Sequence, residues 1–188
     1  MELELGKEIK KEEIQPFVDS VAADANPKIK KIITESLEKC LIEGVPLKKA
    51  IGMTPEMEEM LYNHGYSQFQ GGKYKMALNY FNFLRYWDYT FRYNFAIAAC
   101  YQYMGNYSDA AANYILCIYL DRANPMPYFH LYDCFVKLDD YLAALKSISY
   151  VLVLTENKSD YTLIRERAQY EYNHLKNVPN TNKIEKVR

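Results

Sequence analysis

One short pattern occurs three times in this chain: Gly72-Tyr74-Ala77-Phe81, then Gly105-Tyr107-Ala110-Tyr114, then Asp139-Tyr141-Ala144-Ile148, in steps of 33 and 34 residues. A unit of that length cannot bury its own apolar face, so copies must stack on one another, each covering the next. The alanine at a fixed place in each copy lets two helix axes approach closely, while the tyrosine beside the turn fills space. Sheet is a poor alternative. Val, Ile and Thr do not gather in alternating runs, and only seven Gly and seven Pro punctuate the 188 residues. Helices joined by short turns fit that composition, and the expected class is all-α.

A period of 33–34 residues is that of the tetratricopeptide repeat, in which helices A and B of each copy build a right-handed solenoid with a concave binding face. The expected organisation is a partly ordered arm over 1–25, a helical segment over 26–53, three repeats over 54–156, a capping helix over 157–176 and a disordered tail over 177–188. Asn26 and Pro27 supply an N-cap and a first-turn proline for the helical segment, whose Ile29, Ile33 and Leu37 form an apolar stripe in need of a partner, either the repeats or a second copy. Ser149–Leu154 would read as a strand alone, but repeat register places it on the last B helix. Gly65, Ala98 and Tyr132 occupy the close-contact position of helix A; the bulk of Tyr132 predicts a splayed third repeat.

Net charge is −1, and no stripe of Lys and Arg interleaved with aromatics runs along the chain, which argues against nucleic acid as a partner. The first residues have no basic and apolar leader, and no window is long and apolar enough to span a bilayer, so a soluble cytosolic protein is expected. Cys40, Cys100, Cys117 and Cys134 form no ligand-spaced pair and read as buried thiols. His64, His130 and His174 stand apart from other metal ligands, and no nucleophile, metal-hydrolase or phosphate-loop motif occurs. Neither catalysis, a metal nor a cofactor is expected.

Counting along helix A puts three residues of each repeat on the concave face: Tyr62, Tyr66 and Phe69; Phe95, Ala99 and Gln102; Phe129, Asp133 and Val136. Helix aromatics are more often core. Register favours the groove for these because other residues already make the A–B contact. Arg92 and Lys137 lie on the rim. Large aromatic area at low entropic cost suits capture of a peptide. Two other uses of such repeats stay open: clamping a partner's C-terminal carboxylate, and serving as an assembly scaffold through the convex side.

Leu61-Tyr62, Gln68-Phe69, Gly72-Lys73-Tyr74, Ala77, Phe81, Ala99-Cys100, Gln102, Gly105, Asp121, Pro125, Phe129-His130 and Cys134 resemble the class II chaperones of bacterial type III secretion systems. The likeness covers about residues 55–155. It implies a cytoplasmic bacterial chaperone, not an enzyme, that keeps hydrophobic translocator proteins soluble and unassembled before export. On that resemblance, an extended translocator segment of Pro-x-Leu-x-x-Pro type would sit in pockets made by Tyr62, Tyr66 and Phe69, extended by Phe95 and Phe129; the counted Gln102 and the rim residue Arg92 are the further candidates for the same groove. The resemblance also implies a homodimer formed through the N-terminal helices, which matches the unpaired stripe of Ile29, Ile33 and Leu37.

Overall fold

The computed structural model describes residues 10–177. The start of the expected arm and the tail from residue 178 lie outside them. Among the described residues there are ten α-helices, one 3₁₀ turn and no strand. The chain divides into two compact units, Met1–Met60 and Leu61–Arg188.

In the first unit, α1 (Lys11–Val21) packs against α2 (Pro27–Leu41), followed by the short α3 (Leu47–Ala50). Pro16 sits inside α1, where its missing N–H removes one rung of the helical ladder. Asn26 accepts the Ile29 N–H at 3.0 Å and so caps α2. The two helices meet through a polar ladder. Lys11 pairs with Glu38 at 3.2 Å, the Thr34 hydroxyl donates to Gln15 at 3.0 Å, and Lys30 pairs with Asp19 at 3.2 Å. Each triplet steps by four residues, so each is one stripe of its helix, and the stripes run antiparallel. Ile14 and Val18 are buried. With 30, 34 and 38 turned to α1, α2 leaves Ile29 47% exposed and Ile33 and Leu37 half-buried.

The second unit holds the repeats. Its helices are α4 (Pro55–Gln70) from Leu61 onward, α5 (Tyr74–Trp87), α6 (Phe91–Tyr103), α7 (Tyr107–Leu120), α8 (Pro125–Lys137), α9 (Tyr141–Leu154) and α10 (Thr162–Lys176). Ser149–Leu154 is helical, as register requires. Thr90, Asn106, Asn124 and Asp140 each accept a first-turn N–H from their own helix. The turn between paired helices needs a left-handed residue in every copy: Gly72 at φ 73°, Gly105 at φ 77° and Asp139 at φ 57°. Gly65 is required for a different reason. A Cβ there would lie 2.9 Å from both the Phe81 ring and the Tyr80 Cβ, so α4 and α5 approach closer than any side chain permits.

The core is three clusters in series, each closed by the helix that follows its repeat. Ala77 and Phe81 pack with Ile97 and Cys100 of α6; Ala98, Ala110 and Tyr114 pack with Leu131 and Cys134 of α8; Tyr132, Ala144 and Ile148 pack with Ala168 and Leu175 of α10. Thus α10 takes the place of a fourth helix A and covers the last apolar face. The third repeat is not splayed: α8 and α9 pack as extensively as α6 and α7. Tyr132 is accommodated because its ring joins the last cluster and its hydroxyl reaches α10, donating to Glu171 at 2.7 Å. No described helix is long and apolar enough to cross a membrane.

Candidate functional site

Tyr62, Tyr66 and Phe69 lie four and three residues apart on α4, which stacks their rings along one face. Tyr62 and Tyr66 are parallel at 6.5 Å between centroids, as are Tyr66 and Phe69. Tyr62 leans on buried Phe81 at 5.3 Å and on Tyr93 at 6.1 Å, and the Arg92 guanidinium covers its ring at 3.5 Å. At the other end, Phe69 stands edge-on between Tyr74 at 5.4 Å and Tyr103 at 5.2 Å. Tyr66 is 47% exposed and Tyr103 62% exposed, whereas Tyr62 and Phe69 are half-buried. The surface is therefore an aromatic strip in which the seated rings of Tyr62 and Phe69 flank the open ring of Tyr66, with Tyr103 open beyond Phe69. It offers apolar contact and hydroxyl groups together.

Tyr103 is a residue that concave-face counting misses, since it falls one place beyond Gln102. Its signal is the tyrosine-rich stretch Tyr101-Gln102-Tyr103 opposite Phe69.

Phe95 and Gln102 belong to a neighbouring cluster. The Phe95 ring stacks on Phe91 at 5.6 Å and meets Tyr114 and His130 edge-on, both at 5.4 Å. Tyr114 and His130 are themselves stacked at 5.2 Å. The carbonyl oxygen of Gln102 accepts the Tyr114 hydroxyl at 2.7 Å and lies 3.2 Å from His130 Nδ1. Burial, aided by the Arg167 charge, pushes the His130 pKa down to about 4, so the ring is neutral at neutral pH. Burial raises the Tyr114 hydroxyl and the Asp133 carboxyl above their ordinary ranges, and lifts Cys100, Cys117 and Cys134 to about 12. Those thiols are packing groups rather than nucleophiles.

Phe129 is only 7% exposed. It packs in the last core cluster with the Arg167 guanidinium 5.2 Å over its ring, so it is a core residue rather than an open pocket wall. Among the described residues, no group of three or more His, Cys, Asp or Glu side chains is placed to hold a metal.

The chain is 28% identical over 133 residues to the low calcium response locus protein H of Yersinia pestis, which covers 70% of this chain and 79% of that protein. Its structure matches the type III secretion translocator chaperone SycD of Yersinia enterocolitica with a TM-score of 0.63 at 26% identity, covering 68% of this chain and 91% of SycD. The chain has the fold of the translocator chaperones. PcrH of Pseudomonas aeruginosa matches with a TM-score of 0.62 at 27% identity, covering 66% of this chain and 95% of PcrH. SycD has been solved with a peptide of the translocator YopD, and PcrH with the chaperone binding region of PopD. No family model matches the chain.

Proposed function

We propose that this protein is a type III secretion chaperone that holds an extended segment of a hydrophobic translocator on the concave face of its repeats. The observation that carries this reading is the stacked strip of Tyr62, Tyr66 and Phe69, braced by Arg92 and Tyr103 and left partly open. The peptide complexes of SycD and PcrH support the choice of client class. A disordered segment loses ordering entropy on binding, so a few apolar anchors, each contributing about 1.5–3 kcal/mol when fully buried, must supply the surplus. Tyr62, Tyr66 and Phe69 seat those anchors, and Phe95 and Gln102 continue the surface. Phe129 supports it from beneath.

The protein acts by binding in the cytoplasm and is not an enzyme: occupancy of one segment keeps a membrane-seeking client soluble. A carboxylate clamp would need Lys and Asn where this face has Tyr62 and Tyr66. The exposed Ile29, with Ile33 and Leu37 beside it on α2, is the proposed seam of a homodimer, in keeping with the dimers described for SycD. The test is co-expression with the translocators of the same secretion system. Tyr62→Ala combined with Phe69→Ala is expected to abolish capture while circular dichroism stays unchanged; undiminished capture would refute the site.

A further inference from the structure

Gln102 is the one polar side chain of the three-by-three concave set that is locked from behind by two rings, the buried Tyr114 and the half-buried His130. The Tyr114 hydroxyl lies 2.7 Å and His130 Nδ1 3.2 Å from its side-chain oxygen, Oε1. Only one orientation of the amide satisfies both partners. Tyr114 is fully buried, and Gln102 is the hydrogen-bond partner of its hydroxyl among the described residues. With the amide reversed, its NH2 would face the Tyr114 oxygen and leave the hydroxyl proton without an acceptor in the core, a loss that native interiors avoid. The oxygen therefore faces Tyr114, and His130 must present Nδ1–H, which its neutral state at neutral pH allows. The NH2 group then points away from both rings. Gln102 is half-buried rather than enclosed, and its Nε2 is not among the buried polar atoms that want a partner.

We infer that Gln102 is a fixed hydrogen-bond donor of the groove, holding its NH2 toward a backbone carbonyl of the bound extended segment, with Tyr114 and His130 as its positioning residues. The inference rests on the proposed function and adds polarity to it. An extended segment laid on Phe69, Tyr103 and Phe95 loses water from its carbonyl groups without gaining donors from those rings. Gln102 supplies two N–H groups at that place, and because its oxygen is already engaged it acts there as a donor only. The groove so selects an acceptor. A backbone carbonyl meets the requirement for any client sequence, so side-chain specificity is left to the aromatic strip.

The test uses the full chain and synthetic peptides of the Pro-x-Leu-x-x-Pro type, titrated by calorimetry, with each peptide carbonyl replaced in turn by a thioamide, a weaker acceptor. In the wild-type protein one thioamide position is expected to weaken binding roughly three- to tenfold, and the same substitution is expected to be silent in Gln102→Leu. Gln102→Glu, which keeps an acceptor toward Tyr114 but cannot donate outward, is expected to bind the unmodified peptide about tenfold more weakly. Tyr114→Phe is expected to shift the Gln102 NH2 resonances and the His130 ring nitrogens in 15N spectra and to halve the thioamide effect or more. Wild-type binding that survives Gln102→Leu, or thioamide effects identical in both proteins, overturns the donor role alone. Failure of every peptide on the wild type would overturn the groove reading and this inference with it.

Discussion

The Arg92 guanidinium lies 3.5 Å above the ring of Tyr62, clamping the first ring of the aromatic strip from the next repeat. A cation so placed over a tyrosine contributes about 0.5–2 kcal/mol and fixes the ring's tilt. Arg92→Met keeps the length and removes the charge. It is expected to weaken client-peptide binding about threefold to tenfold while the melting temperature falls by no more than a few degrees; calorimetry beside a thermal melt checks both. Unchanged affinity would show that the ring needs no brace.

Close approach of α4 and α5 at Gly65 has a direct stability consequence. Gly65→Ala places a methyl 2.9 Å from the Tyr80 Cβ, which cannot rotate away, and from the Phe81 ring, which supports Tyr62. A loss of about 1–3 kcal/mol is expected in urea unfolding, growing for Gly65→Val. The same change should loosen the strip and cost client affinity.

The turn into α9 carries the opposite prospect. Asp139 holds φ 57°, which Gly72 and Gly105 occupy without cost at the equivalent turns, and its exposed carboxylate accepts the Tyr141 hydroxyl at 2.9 Å. Asp139→Gly is expected to be neutral or to stabilise by up to about 1 kcal/mol, whereas Asp139→Val should destabilise by about 1–2 kcal/mol. Chemical denaturation of the two variants separates these outcomes.

Much of this architecture is legible in the sequence because it is local. The 33–34 period, the Asn26 cap with its first-turn Pro27 and the shared turn position all act within one helix or helix pair, so short-range pattern alone reveals them. Tyr132 is different. Its bulk predicts splay only while α10 is left out; with Ala168, Leu175 and Glu171 in place, the ring has a site waiting for it. Phe129 is hidden for the same reason, since register counts positions on one helix and not what the following helix covers. The Gln102–Tyr114–His130 lock joins α6, α7 and α8, and its residues are 12 and 28 positions apart, a separation that no helical period connects. The ladder between α1 and α2 looks in sequence like ordinary surface charge.

Acid sensitivity follows from His130. Its folded pKa of about 4 lies below the ordinary 6.5, so the folded state binds its proton less readily than the unfolded chain. The stability it confers is complete above pH 6.5 and is lost as pH falls toward 4, by an amount on the order of 3 kcal/mol. Asp133 works in the other direction. Burial raises its carboxyl, so its protonation favours the folded state at the acid end of the range. Urea unfolding between pH 7 and pH 4 should therefore show a flatter profile for His130→Phe than for the wild type, and parallel profiles would contradict the burial of a neutral imidazole.

Site-specific photo-crosslinking in the presence of a co-expressed translocator tests the concave capture of the client most directly. A photoreactive phenylalanine replaces either Tyr66, in the middle of the strip and 47% exposed, or Tyr86 on α5, outside the strip and 75% exposed. Crosslinks from position 66 to one short segment of the client, and none from position 86, are the predicted result. Crosslinks confined to position 86 would place the client away from the strip and contradict the account.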